Sequence, residues 1–148
     1  MAAPLTAGAA EPEPGFAWMA NIFEDNASLV YGSTETGEDY LFALLCDNRK
    51  KKAELTVYED IVGAKVGQTV AIEISAGAAK LVLKGTTETD QMSGFIFGVA
   101  KNIAVKPVLA VLKASGPAIA KMGKVTANLP GQGRAAAVTQ FAKVCKLD

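Results

Sequence analysis

Cys46 and Cys145 are the only thiols in a chain that contains no histidine. Histidine is the commonest general base and the commonest metal ligand, so its absence removes the usual routes to nucleophilic and zinc chemistry. A thiolate at Cys46, activated by the cationic run from Arg49 to Lys52, would need an exposed sulfur and a base to accept its proton. Two cysteines this far apart make neither a CxxC redox pair nor a four-ligand zinc site. A disulfide is the chemistry that suits them, and two buried thiols acting as small apolar side chains are the alternative. In the chain-entropy description, a bond closing a loop of about 100 residues contributes roughly 4–5 kcal/mol.

Three acidic doublets follow, Glu24-Asp25, Glu38-Asp39 and Glu59-Asp60. A glycosidase needs two carboxyl groups facing one substrate across a fixed gap. Neighbours in an extended chain point to opposite faces, so no single doublet supplies such a pair, and only convergence of two doublets would. Gly131-Gln132-Gly133-Arg134-Ala135-Ala136 has the GxGxxA form of a dinucleotide fingerprint. Twelve residues follow it, too few for the second strand and the ribose-binding acid that the fingerprint requires. These glycines therefore read as a turn into a helix. No GxSxG, SxxK, Walker or HExxH pattern is present, and no calcium-loop spacing. No catalytic residue, metal ligand or cofactor is assigned. The aromatic candidates for lining a ligand groove are Tyr31, Tyr40, Tyr58, Phe95 and Phe97; covering strand faces is the alternative, and Trp18 reads as a core anchor beside Phe16.

The elements that must position these residues are strands. Phe42, Leu44 and Cys46 alternate with Leu41, Ala43 and Leu45; Leu55 and Val57 alternate with Glu54, Thr56 and Tyr58. The same period runs through Val70–Ile74 and Leu81–Leu83. Charged and glycine-containing links at 47–52 and 75–78 make two hairpins of these four strands. Residues 15–20 and 28–31 add two earlier strands, and 92–99 is apolar on both sides, as a central strand is. Residues 118–129 hold one more, with Lys121, Gly123 and Lys124 in its middle. Pro107 suits the first turn of a short helix over 106–114. Helical spacing returns over 134–146, where Val138, Phe141, Ala142 and Cys145 form one stripe. Both cysteines thus lie on inward faces, and their bond would clamp the terminal helix onto the sheet.

Half of the 148 residues are apolar, which suits one globular core, and no apolar run is long enough to span a bilayer as a helix. The net charge of zero conceals an asymmetry: residues 1–60 carry eleven carboxylates against four cations, and residues 61–148 the reverse. The later cations are scattered lysines, with Arg134 as the one arginine, and no aromatics are interleaved with them, which argues against nucleic acid as a partner. Residues 1–15 hold Pro4, Pro12 and Pro14 and little to bury, and read as a flexible lead-in to a single β-rich domain over 16–148. Ala7-Gly8-Ala9 has the small-x-small form of a signal-peptidase site without a preceding apolar region, as expected near a cleavage point; a cytosolic protein with an alanine-rich tail is the alternative. Asn26-Ala27-Ser28 matches a glycosylation acceptor, relevant only in a eukaryotic secretory setting.

The stretch Thr126-Ala127-Asn128-Leu129-Pro130-Gly131-Gln132-Gly133, with Ala135 to Ala137, Phe141 and Cys145 after it, resembles the endings of small secreted alphaproteobacterial proteins of the invasion-associated locus B kind. That resemblance covers about 20 residues and implies a periplasmic β-rich domain with no catalytic residue to carry over. Members of that group carry other cysteine arrangements, from which this chain departs.

The sequence therefore predicts a mainly antiparallel β domain, a sandwich or partly closed barrel of about seven or eight strands. Two helices, one short and one disulfide-tethered at the C-terminus, would cover an end or edge. The expected function is a non-enzymatic periplasmic or secreted module that binds a protein or a small apolar ligand. A barrel of this kind either encloses a cavity or fills it with its own side chains. The competing expectations are a carboxylate-based hydrolase and a structural or assembly protein of the envelope.

Overall fold

The computed structural model describes residues 14–36 and 39–148. Most of the expected N-terminal lead-in, and Glu38 of the second acidic doublet, lie outside the described residues. The chain is mainly β, as predicted. Nine strands form one antiparallel sheet: β1 (Phe16–Phe23), β2 (Asn26–Ser33), β3 (Tyr40–Asp47), β4 (Lys52–Val57), β5 (Thr69–Ala76), β6 (Ala79–Thr89), β7 (Ile96–Lys101), β8 (Ala118–Met122) and β9 (Val125–Leu129). Helix α1 (Val105–Lys113) joins β7 to β8, and α2 (Arg134–Val144) follows β9. The spatial order is β1-β2-β3-β4-β7-β6-β5-β8-β9, and the sheet curls into a half-barrel.

The segment read as one strand over 118–129 is two strands. Gly123 adopts φ +60, a left-handed turn open to glycine, and lets β8 fold back on β9 with Met122 opposite Val125. This raises the strand count from eight to nine and replaces the sandwich alternative with a single curled sheet. The strand expected from residue 92 begins at Ile96, because residues 90–95 close a turn in which Gly94 N–H donates to Asp90 O at 2.7 Å.

Register across the sheet builds the core from the alternating apolar residues. One inward row runs Trp18, Tyr31, Phe42, Val57 and Gly98 from β1 through β7, and the next runs Ala20, Leu29, Leu44, Leu55 and Ala100. Both helices pack on this face. In α1, Val105, Val108, Leu109 and Leu112 fall at helical spacing and are buried; in α2, Ala137, Val138 and Phe141 are. Between them and the sheet lie Ile72, Ile74, Met122 and Leu129, all 0–1% exposed, so side chains fill the interior. The two halves of opposite charge meet where β4 pairs with β7 and where α2 crosses β1 and β2.

Three contacts fasten the C-terminal third. The Cys46–Cys145 disulfide forms across 99 residues, with Cα atoms 5.9 Å apart, and ties the end of α2 to β3. Cys145 is not on the helical stripe but just past it, in extended conformation at the helix cap. Asn48 beside it donates to Val144 O at 2.9 Å and accepts from Lys146 N–H at 2.8 Å. The Trp18 indole N–H donates to Pro130 O at 2.7 Å in a buried bond that links the first strand to the end of the last. Gly133, with φ +77, opens α2, so the GxGxxA stretch is a turn and a helix start.

Arg134, the first residue of α2, is 3% exposed, and four main-chain carbonyls surround its guanidinium. Two of them, Leu112 O and Ala114 O, belong to the C-terminal end of α1, where helix carbonyls lack intrahelical donors and carry partial negative charge.

Candidate functional site

The loop from residue 58 to residue 68 leaves β4 and crosses the ends of β7 and β6 before entering β5. Ile61 N–H donates to Ile96 O at 2.8 Å, and Gly67 N–H to Thr87 O at 2.9 Å. Beside that crossing, at the end of the sheet where β3 and β7 begin and β4 and β6 end, lies an open cleft of about 610 Å³. Phe16, Tyr40, Tyr58 and Phe97 are its aromatic lining, and Asp39, Glu59 and Asp90 its carboxylates.

The aromatic cluster is a consequence of register. Tyr58 continues the outward face of β4 and meets Phe97 of the adjacent β7 at 4.8 Å between ring centroids. Phe95, 37% exposed, flanks it at 5.5 Å, and Tyr40 at 5.6 Å. Strand parity alone would place Tyr40 inward with Phe42, Leu44 and Cys46. A bulge where β2 and β3 pair, between Tyr31 and Gly32, sets Gly32 opposite Tyr40 and turns that ring outward. Gly32 is needed there: a Cβ on it would lie 2.7 Å from Asp39 O and 2.9 Å from Tyr40 Cβ.

Asp90 is the polar centre of the cleft. One carboxylate oxygen accepts the Tyr58 phenol O–H, and the other accepts Met92 N–H at 2.9 Å. The Tyr58 hydroxyl also lies 2.7 Å from Ser93 Oγ. These donors hold the Asp90 carboxyl below the usual aspartate range, the Tyr58 hydrogen bond first and the Met92 amide second. Tyr58 is raised in turn, by desolvation and by its hydrogen bond to that carboxylate. Tyr40 is raised by burial and then by the charge of Glu54.

Of the five aromatics singled out from the sequence, the structure therefore brings Tyr40, Tyr58, Phe95 and Phe97 together. Tyr31 is elsewhere: 1% exposed, it sits in the core against Phe16 at 5.6 Å and Trp18 at 5.4 Å. Trp18 is a core anchor, with Phe42 on its other side at 5.7 Å. Members of two acidic doublets, Asp39 and Glu59, converge at the cleft. The third doublet, Glu24-Asp25, turns β1 into β2. Sequence reasoning missed Asp90. Its signal was the run Thr89-Asp90-Gln91-Met92-Ser93-Gly94, turn-forming residues between two strands.

A second cleft, of about 530 Å³, lies at the opposite end of the outer face. Phe23, Leu45, Lys52 and Lys101 are among its lining, with Phe23 72% and Leu45 45% exposed. Among the described residues no group of three or more histidine, cysteine or acidic side chains is placed to hold a metal ion. No helix among them is long and apolar enough to cross a membrane. Neither a family model, nor a curated protein, nor a solved structure matches this chain.

Proposed function

We propose that this chain is a non-enzymatic binding module of the periplasm or the extracellular space, and that its ligand occupies the cleft at the rim of the half-barrel. The observation that carries the reading is the ring cluster of Tyr40, Tyr58 and Phe97 in an open cleft, with the Tyr58 hydroxyl fixed by Asp90. Binding sites combine apolar and aromatic surface with a few fixed polar groups. The interior is occupied by side chains, the second of the two alternatives for a small barrel, so the ligand of this reading is bound outside it. A disulfide that closes 99 residues suits an oxidising compartment. The likeness of the terminal stretch to secreted proteins of the invasion-associated locus B kind points the same way.

The hydrolase reading draws on the three carboxylates in one cleft. A glycosidase-type general acid, however, has its pKa raised so that it holds a proton near neutrality. Asp90 is shifted in the other direction, which argues against this residue as the general acid.

Amide chemical-shift mapping of the isotope-labelled protein against a panel of neutral, anionic and cationic small ligands tests the proposal. Ligand-induced shifts are expected around residues 39–41, 58–59, 89–91 and 97, and Tyr58→Ala is expected to abolish them. A panel member whose shifts map to another surface, or survive that substitution unchanged, would overturn the assignment of the cleft.

A further inference from the structure

The charge around the rim cleft has one sign. Asp39, Glu59 and Asp90 line it, and no lysine or arginine is among its described lining residues. Asp90 is held as the anion by geometry, since both oxygens accept hydrogen bonds from groups that favour the ionised form. Aromatic rings present a negative face as well, and attract cations through their quadrupole. An anionic ligand would meet repulsion from every ionised group in the cleft. A purely apolar ligand would displace water from the carboxylates and give nothing in exchange.

We propose that the ligand of this cleft is a small organic ammonium, its alkyl surface against Tyr40, Tyr58 and Phe97 and its charge toward Asp39 and Asp90. The inference rests on the reading of the cleft as the binding site and adds the chemical class of what it binds. The hydroxyl of Tyr58 is committed to Asp90 and Ser93, so recognition depends on charge and ring contact rather than on hydrogen bonds from that phenol. The cleft volume of about 610 Å³ exceeds what a quaternary ammonium alone would fill, which leaves room for a substituent.

The test uses the full chain and two probes of nearly the same shape: choline, and its uncharged isostere with carbon in place of the quaternary nitrogen. Choline is expected to shift the amides around Tyr40, Tyr58 and Asp90 and to bind about ten-fold tighter than the isostere, with the advantage shrinking as salt is added. Asp90→Asn keeps an acceptor for Met92 N–H and is expected to remove most of the preference for the cation. Asp39→Asn, at an exposed position, is expected to reduce it without endangering the fold. Equal binding of the two probes in the cleft overturns the ammonium and leaves the cleft as a binding site. Shifts there from an anionic or neutral ligand, with none from choline, do the same. Failure of every ligand in the panel to shift these amides overturns both readings.

Discussion

Replacing Arg134 with methionine keeps an unbranched side chain as far as the position of Nε and removes a buried guanidinium. The Nε–H to Leu112 O bond at 2.9 Å and the Nη1–H to Leu129 O bond at 3.1 Å are buried, and no water can take their place. Each is a hydrogen bond from a charged group whose loss costs about 1.5–3 kcal/mol, so about 3–6 kcal/mol for the pair. The Nη2 bonds to Ala114 O at 2.7 Å and Gly116 O at 2.6 Å are part-buried, and water can replace them at little cost. Burying the methionine and removing a buried charge recover about 1–2 kcal/mol. The net expectation is a loss of about 3 kcal/mol, a large share of the stability of a domain this size. Chemical denaturation followed by circular dichroism measures it, with an unchanged denaturant dependence signalling that the denatured state is unaltered. Trp18 supplies a second probe: the single tryptophan, its indole hydrogen-bonded to Pro130 beside Leu129, reports on the same junction by fluorescence. Arg134→Lys should recover only part of the loss, because one ammonium cannot match a planar fork that reaches four carbonyls. A methionine variant within about 1 kcal/mol of the parent would refute the argument that these carbonyls depend on the guanidinium.

Removing the disulfide with Cys46→Ala and Cys145→Ala together should cost about 4–5 kcal/mol in the chain-entropy description, since the bond closes 99 residues. A reductant should then lower the denaturation midpoint of the parent and leave the double variant unchanged; equal midpoints of parent and variant without reductant would count against the clamp. Gly32→Ala places a Cβ 2.7 Å from Asp39 O, and is expected to destabilise by about 1–3 kcal/mol while displacing Tyr40 from the cleft. Amide shifts confined to residue 32 itself, with parental stability, would contradict that coupling.

Much of the framework was legible because it is local. The alternation of Leu55 and Val57 with Glu54 and Thr56 is a property of four neighbours, and so is the proline that permits α1. Cysteines placed on two inward faces, in a chain without histidine, pointed to their bond. Boundaries failed where one residue decided them. Gly123 could interrupt a strand or turn it, and its positive φ turned it. Cys145 kept its partner but not its helix, because α2 ends one residue earlier and the chain extends toward β3.

The sequence by itself determined the β class, the two helices, the inward faces and the pairing of the thiols, since periodicity and turn chemistry act over a few residues. Tertiary structure alone decided the cleft. Its parts come from β3, the end of β4, the turn after β6 and the start of β7, which adjoin only because β7 pairs with β4 rather than β5 doing so. Residue type makes Tyr40 a groove candidate, whereas strand parity with Phe42 alone would turn it inward; a single bulge opposite Gly32 brings it to the cleft. Side chains alternate with period two, so one inserted residue moves a ring from one face of a sheet to the other, and the long-range pairing that permits the insertion leaves no local trace.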